Sequence, residues 1–109
     1  MTFTEFIKWV EDTIPNWKEF LTLGSRSRFF AKHNSQENSI KIRNSRGNEH
    51  EINEDDLQRI FERYVNATGQ TRNKACHYAD PMWPETPNRV FAPYIPAIIK
   101  FWAENITRR

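Results

Sequence analysis

One strand register is written into the residues from Ile40 to Ile52, and it constrains the fold of this chain more than any other feature. If Ser45, Arg46 and Gly47 close a hairpin loop, Asn44 faces Asn48, Arg43 faces Glu49, Ile42 faces His50, Lys41 faces Glu51 and Ile40 faces Ile52. The opposite-charge pairs then share one face and the isoleucines the other. Because side chains alternate across a strand, a slip of one residue sets Ile42 against Glu51 and turns the apolar set to water, so the pattern selects this pairing. Gly47 occupies the loop position that needs a left-handed backbone, which glycine adopts without steric penalty.

A helix begins directly after the hairpin. Asn53 is placed as its N-cap, Glu54, Asp55 and Asp56 fall in the first turn, and Ile52 and Leu57 are spaced as a hydrophobic staple. Leu57, Ile60, Phe61, Tyr64 and Thr68 recur at helical spacing with Val65 on the flank, so this central amphipathic helix is expected to run to Gly69 and to pack on the apolar face of the hairpin. Acidic side chains in a first turn interact favourably with the helix dipole, which explains the acidic run without a metal or a catalytic role.

Upstream, Thr2 and Glu5 form a capping box, and Phe3, Phe6, Ile7, Val10 and Ile14 fall on one side of a helix from Phe3 to Thr13. Trp9 lies off that stripe, at the edge of the core or facing a partner. Pro15 ends the run, and Asn16 with Glu19 offers a second cap for a short helix carrying Trp17, Phe20 and Leu21 and stopping before Gly24. From Ser27 to His33 aromatic and basic residues interleave, which predicts a strand that joins the hairpin in a three-stranded antiparallel meander. Phe29 and Ala31 point to one side of it, and Arg28, Phe30 and Lys32 to the other. An exposed Phe beside Arg and Lys suits base stacking on a sheet, and the same pattern suits a sheet covered on that side by the first helix.

After Gly69 the texture changes. Five of the six prolines (Pro81, Pro84, Pro87, Pro93 and Pro96) fall here, with Trp83, Phe91 and Tyr94 among them, and proline cannot donate a ladder hydrogen bond. An irregular but ordered loop packed down by its aromatics is expected, followed by a C-terminal helix starting near Pro93 or Pro96. Ile95, Ile98, Ile99, Phe101, Trp102 and Ile106 are too many for a narrow stripe, so that helix is either sandwiched within the fold or half exposed at a subunit interface. The expected class is therefore α+β, with one or two N-terminal helices, a three-stranded meander, a central helix, a Pro and aromatic loop and a C-terminal helix.

A length of 109 residues suits one small globular domain, residues 1–109, and 14% aromatic residues supply large buried area for its core. Cys76 has no partner for an internal disulfide, no run approaches the length of a membrane span, and the first residues lack the basic start and apolar middle of a secretory signal. A cytoplasmic protein with no membrane partner is expected.

The net charge of +2 conceals a block pattern, because between Gly24 and Arg46 the basic residues Arg26, Arg28, Lys32, Lys41, Arg43 and Arg46 face only Glu37. Such a cluster attracts phosphates. Lys41 and Arg43 already face Glu51 and Glu49 in the hairpin, which leaves Arg26, Arg28, Lys32 and Arg46, joined by Arg72 and Lys74 further on, as the candidate nucleic-acid contacts. The leading expectation is a non-enzymatic binding module for the backbone of DNA or RNA. The alternative is self-association or a protein partner through Trp83, Phe91, Tyr94, Phe101 and Trp102.

Enzymatic chemistry has thin support. Cys76 and His77 are adjacent, and neighbours in sequence point apart on a strand and do not face each other on a helix, so a thiol nucleophile with its base is disfavoured. Three His and one Cys lack the paired spacing of zinc ligands, and three glycines provide no phosphate loop, so no metal or cofactor is expected. The remaining catalytic option is a metal-free ribonuclease using Arg72, Lys74, His77 and Tyr78.

Overall fold

The hairpin forms in the register its charges dictate, with Ile40 opposite Ile52, Lys41 opposite Glu51, Ile42 opposite His50 and Arg43 opposite Glu49. Gly47 sits at φ +85°, and its amide donates to the Asn44 carbonyl to close the loop. The computed structural model describes residues 2–84 and 87–107 and has an α+β fold. Helix α1 (Phe3–Thr13) precedes strands β1 (Lys18–Leu21), β2 (Arg28–Asn34), β3 (Ser39–Asn44) and β4 (Glu49–Ile52). Helix α2 (Glu54–Asn66), three short 3₁₀ turns (Gly69–Asn73, Ala75–Tyr78, Arg89–Phe91) and helix α3 (Ile95–Thr107) complete it. None of the described helices is long and apolar enough to cross a membrane.

The sheet is a four-stranded antiparallel meander in the order β1-β2-β3-β4, not the expected three strands. The added strand is the segment read above as a second helix. Its apolar residues are better placed by alternation: Phe20 turns inward, stacked at 5.7 Å on its cross-strand partner Phe29, while Glu19 and Leu21 turn outward. Pairing with β2 thus buries Phe20 more effectively than a single helical turn would, and tertiary packing overrides the cap-like Asn16 and Glu19. Thr22 then donates to the Ser27 carbonyl at 2.9 Å, and the chain reverses through Gly24 at φ +80° and Arg26 at φ 57°.

The capping box of α1 is formed, with the Thr2 hydroxyl accepting from the Glu5 amide at 3.2 Å and the Glu5 carboxylate accepting from the Thr2 amide at 3.1 Å. Helix α2 starts as expected, the Asn53 side-chain oxygen accepting from the Asp56 amide at 2.8 Å. Replacing Asn53 with alanine orphans that amide, and denaturant titration should show a loss of about 1 kcal/mol. The helix ends at Asn66 rather than running to Gly69, because Ala67 turns extended and its carbonyl accepts from the Arg72 guanidinium. Thr68 consequently lies outside the helix and is exposed, so it leaves the expected stripe.

Leu57, Ile60, Phe61 and Tyr64 are buried, and Phe61 reaches the other two helices. Its ring meets Phe3, Phe6 and Trp102, so this part of the stripe joins α2 to α1 and α3. The sheet's inner face is closed from the C-terminal side: Phe20 meets Phe101, Phe29 meets Tyr94 and His50 meets Phe91. Helix α3 is the sandwiched one, with Ile95, Ile98, Ile99 and Trp102 all buried, which accounts for its wide apolar surface. Trp9 sits half-buried at the edge of the core, 6.2 Å from Phe6 and 6.0 Å from Phe101.

Candidate nucleic-acid interface

Alternation along the strands puts Phe20, Phe29, Ala31, Ile40, Ile42 and Ile52 into the core and leaves an opposite sheet face turned to water. Two rows can be traced across that outer face. One runs Glu19, Phe30, Arg43, Glu49 from β1 to β4, and the next runs Lys32, Lys41, Glu51 from β2 to β4. Arg28 lies beyond the first row beside Leu21, and Asn34 lies beyond the second opposite Ser39. The cations therefore occupy the two central strands, while the carboxylates occupy the edge strands on either side.

Three large apolar side chains accompany these charges. Phe30 is 37% exposed and Leu21 43% exposed. Trp17, just before β1, is half-buried on the same face, with the Arg43 guanidinium 4.3 Å from its ring centre. Arg43 also reaches Glu49 at 3.3 Å, and Arg28 approaches Glu19 at 3.8 Å. Solvent-exposed pairs of this kind are worth about 0–1 kcal/mol, so both arginines can exchange partners cheaply. Glu51 is held more firmly: the Ser39 hydroxyl and the Asn34 amide donate to its carboxylate, and with Lys41 beside it they keep its pKa below the usual carboxylate value.

Lys32 stands directly opposite Lys41. Like charges in a cross-strand pair are destabilising, and Lys41 finds its counter-charge in Glu51 while Lys32 makes no ion pair among the described residues. At one end of the sheet the turns β1–β2 and β3–β4 lie together by the logic of an antiparallel meander, which brings Arg46 to the rim next to Arg28, whereas Arg26 lines a cleft with Ala97 and Lys100 of α3. Three of the six expected nucleic-acid contacts, Arg28, Lys32 and Arg46, thus belong to one face and its rim.

The other three do not join them. Arg72 and Lys74 sit at the 3₁₀ turns, the first of which packs against α2 and α3 on the helical layer. Arg72 is occupied locally, with its guanidinium 5.2 Å from the Tyr64 ring centre and donating to the Ala67 carbonyl. Lys41 and Arg43, neutralised by the hairpin on sequence grounds, and Trp17, expected on a helix, join the face instead. The signal for Trp17 was the alternation Trp17, Glu19, Leu21 against Lys18, Phe20, which the apparent cap obscured.

Of the candidate interface residues, Trp102 and Phe91 are 2% and 5% exposed and are spent in the core. Tyr94 is half-buried against Phe29, and Trp83 is half-buried under the Arg63 guanidinium. Phe101, at 37%, is the most open of the group.

Of the four candidate ribonuclease residues, Arg72, His77 and Tyr78 lie together, the His77 and Tyr78 rings meeting edge-on at 5.0 Å. Tyr78 is buried and donates its hydroxyl to the Arg72 carbonyl at 2.6 Å, and burial raises its pKa above the usual phenol value. His77 lines a cavity of about 270 Å³ with Arg59, Arg63, Asn66 and Trp83, and its Nε2 is buried with no hydrogen-bond partner among the described residues. Burial, and then the Arg63 charge, lowers the His77 pKa below its ordinary 6.5. A histidine that resists protonation in the fold binds its proton more readily when unfolded. Its contribution to stability is full above the ordinary value and is lost as the pH falls from there through the depressed folded value. Thermal melts should show wild-type protein losing stability between about pH 7 and 5, and a His77→Gln variant losing distinctly less.

No family model, curated protein or solved structure matches the chain.

Proposed function

We propose that this chain is a small non-enzymatic binding module whose open sheet face engages the phosphate backbone of nucleic acid. The observation that carries the reading is the Lys32–Lys41 pair, set directly across β2 and β3 on a face with no helix over it. A fold that tolerates a like-charge pair at its centre departs from a local rule of sheet stability, and such departures concentrate where function requires them. A phosphate between the two ammonium groups converts the repulsion into two attractions. Arg28 and Arg43 flank the pair, and Arg46 extends the positive field to the rim.

Binding through phosphates releases condensed counterions, so affinity for a generic oligonucleotide should fall linearly with the logarithm of salt concentration. Alanine at Lys32 or at Lys41 should each flatten that slope by about one ion. Both side chains lie on the outer face, so neither change should lower the melting temperature, and relief of the repulsion should if anything raise it. A salt-independent affinity, or no complex at low salt, would remove the reading.

A further inference from the structure

Resting on that reading, the geometry points to the kind of nucleic acid: we infer that the outer sheet face takes a single strand, with bases stacked on Phe30 and Trp17 and the backbone following the basic lane of β2 and β3.

The basic lane is narrow. Arg28 and Lys32 on β2 and Lys41 and Arg43 on β3 form a positive track, bounded by Glu19 on β1 and by Glu49 and Glu51 on β4. Adjacent strands lie about 4.8 Å apart, so the track is one polynucleotide backbone wide. A duplex carries a second backbone, which would lie over the carboxylates of an edge strand. Nor can the sheet enter a groove. Four strands span about 14 Å between their outer axes before side chains are added, whereas the major groove is about 12 Å wide and admits a helix or a two-stranded ribbon.

The aromatic surface points the same way. A duplex buries the faces of its bases within its own stack, so rings exposed on a flat sheet have nothing to pair with in it. A single strand offers those faces. Phe30 sits in the middle of the lane, between Glu19 and Arg43 in its row, and no ring or cation covers it among the described residues. Trp17 is covered by the Arg43 guanidinium, which Glu49 steadies from the other side. A base arriving at Trp17 takes the place of that guanidinium, and Arg43 turns to the phosphate that follows. The exchange is modest in cost, because the contacts given up are an exposed ion pair worth at most about 1 kcal/mol and a half-buried cation–π contact worth about 1–2 kcal/mol, and the stacked base replaces the latter.

The lane also distinguishes positions that stack from positions that only attract. Leu21 is as exposed as Phe30 but lies on β1 beside Arg28, off the track, and has no ring. It serves as the internal control.

The test compares a mixed-sequence single-stranded oligonucleotide, as DNA and as RNA, with the corresponding DNA duplex at one low salt concentration, followed by a salt titration of each. The single strands should bind more tightly than the duplex. Phe30→Ala and Trp17→Ala should each weaken single-strand binding about 5- to 100-fold, the range that loss of one stacked base produces. The salt slope in Phe30→Ala should match wild type, Phe30→Tyr should retain affinity, and Leu21→Ala should bind as wild type. Thermal melts of each variant confirm that the fold is intact. Salt-dependent binding in which the duplex is preferred, or in which the ring variants match wild type, overturns the single-strand inference and leaves the phosphate reading standing. The absence of salt-dependent binding to any of the three oligonucleotides overturns both and leaves the face to a protein partner.

Discussion

Replacing Phe61 with alanine should lower stability by about 3–5 kcal/mol, the usual cost of deleting a buried aromatic ring. The ring is 2% exposed and has three aromatic neighbours, Phe6 at 5.4 Å, Phe3 at 5.6 Å and Trp102 at 5.8 Å between centres. Each comes from a different element or a different turn: Phe3 and Phe6 from α1, Trp102 from α3. Removing the ring therefore opens a cavity where three helices meet, and no one neighbour can swing in to fill it without leaving another. For a domain of this size each kcal/mol shifts the melting temperature by about 4–8 °C, so the change is readily seen in a thermal scan. The adjacent Glu62 provides the contrast. It is exposed and accepts one hydrogen bond from Gln58 at 3.3 Å along the helix, so Glu62→Ala should stay within about 0.5 kcal/mol of wild type. A larger loss for Glu62→Ala than for Phe61→Ala would mean that the helix presents its other face to the core.

How far this fold can be read from the chain depends on whether a signal is local. The hairpin register, the Asn53 cap and the Thr2–Glu5 capping box are each specified by residues within a few positions of one another, and all appear as the residues imply. The segment after Pro15 was not legible in the same way. Asn16 and Glu19 resemble a helix start, and what decides against it is Phe29, which takes Phe20 as a cross-strand partner from the far side of a turn. Helix α2 shows the same limit at its other end. Its stripe is visible in the sequence, but its last turn is set by Arg72 reaching back to Ala67, and the Phe61 ring within it meets α1 and α3.

The candidate site was half legible for a related reason. Arg28, Phe30 and Lys32 alternate on one strand, so their common face can be read directly. Lys41 and Arg43 look neutralised because the hairpin register gives each an acidic partner. The hairpin supplies only one neighbour per residue, whereas a residue on a central strand has two: β2 sets Lys32 against Lys41 and Phe30 against Arg43. Trp17 could join the face only once β1 was known to be a strand. Arg72 and Lys74 were grouped with the others by charge alone, and charge does not report on which layer of a fold a residue lies.

Trp102→Ala carries the second large expected effect, about 3–5 kcal/mol of stability, and it also separates two views of the C-terminal helix. The surplus of apolar residues there suggests a subunit interface, yet Trp102 is 2% exposed within a single chain, with its ring edge-on to Phe6 at 5.3 Å and tilted against Phe61 at 5.8 Å. Loss of the indole should accordingly lower the melting temperature by a comparable amount at every protein concentration, with no change in sedimentation. Because Trp102 and Phe61 share a contact, the double variant should lose less than the sum of the two single changes, by about 0.5–3 kcal/mol. Phe101 is the counterpart. It is 37% exposed, touching Phe20 at 5.4 Å and Trp9 at 6.0 Å while Lys18 lies over its ring, so Phe101→Ala should cost well under what Trp102→Ala does. If Trp102→Ala instead kept the wild-type melting temperature and altered the sedimenting species, the tryptophan would belong to a contact between copies, and α3 would have to be placed at a subunit boundary rather than at the centre of the helical layer.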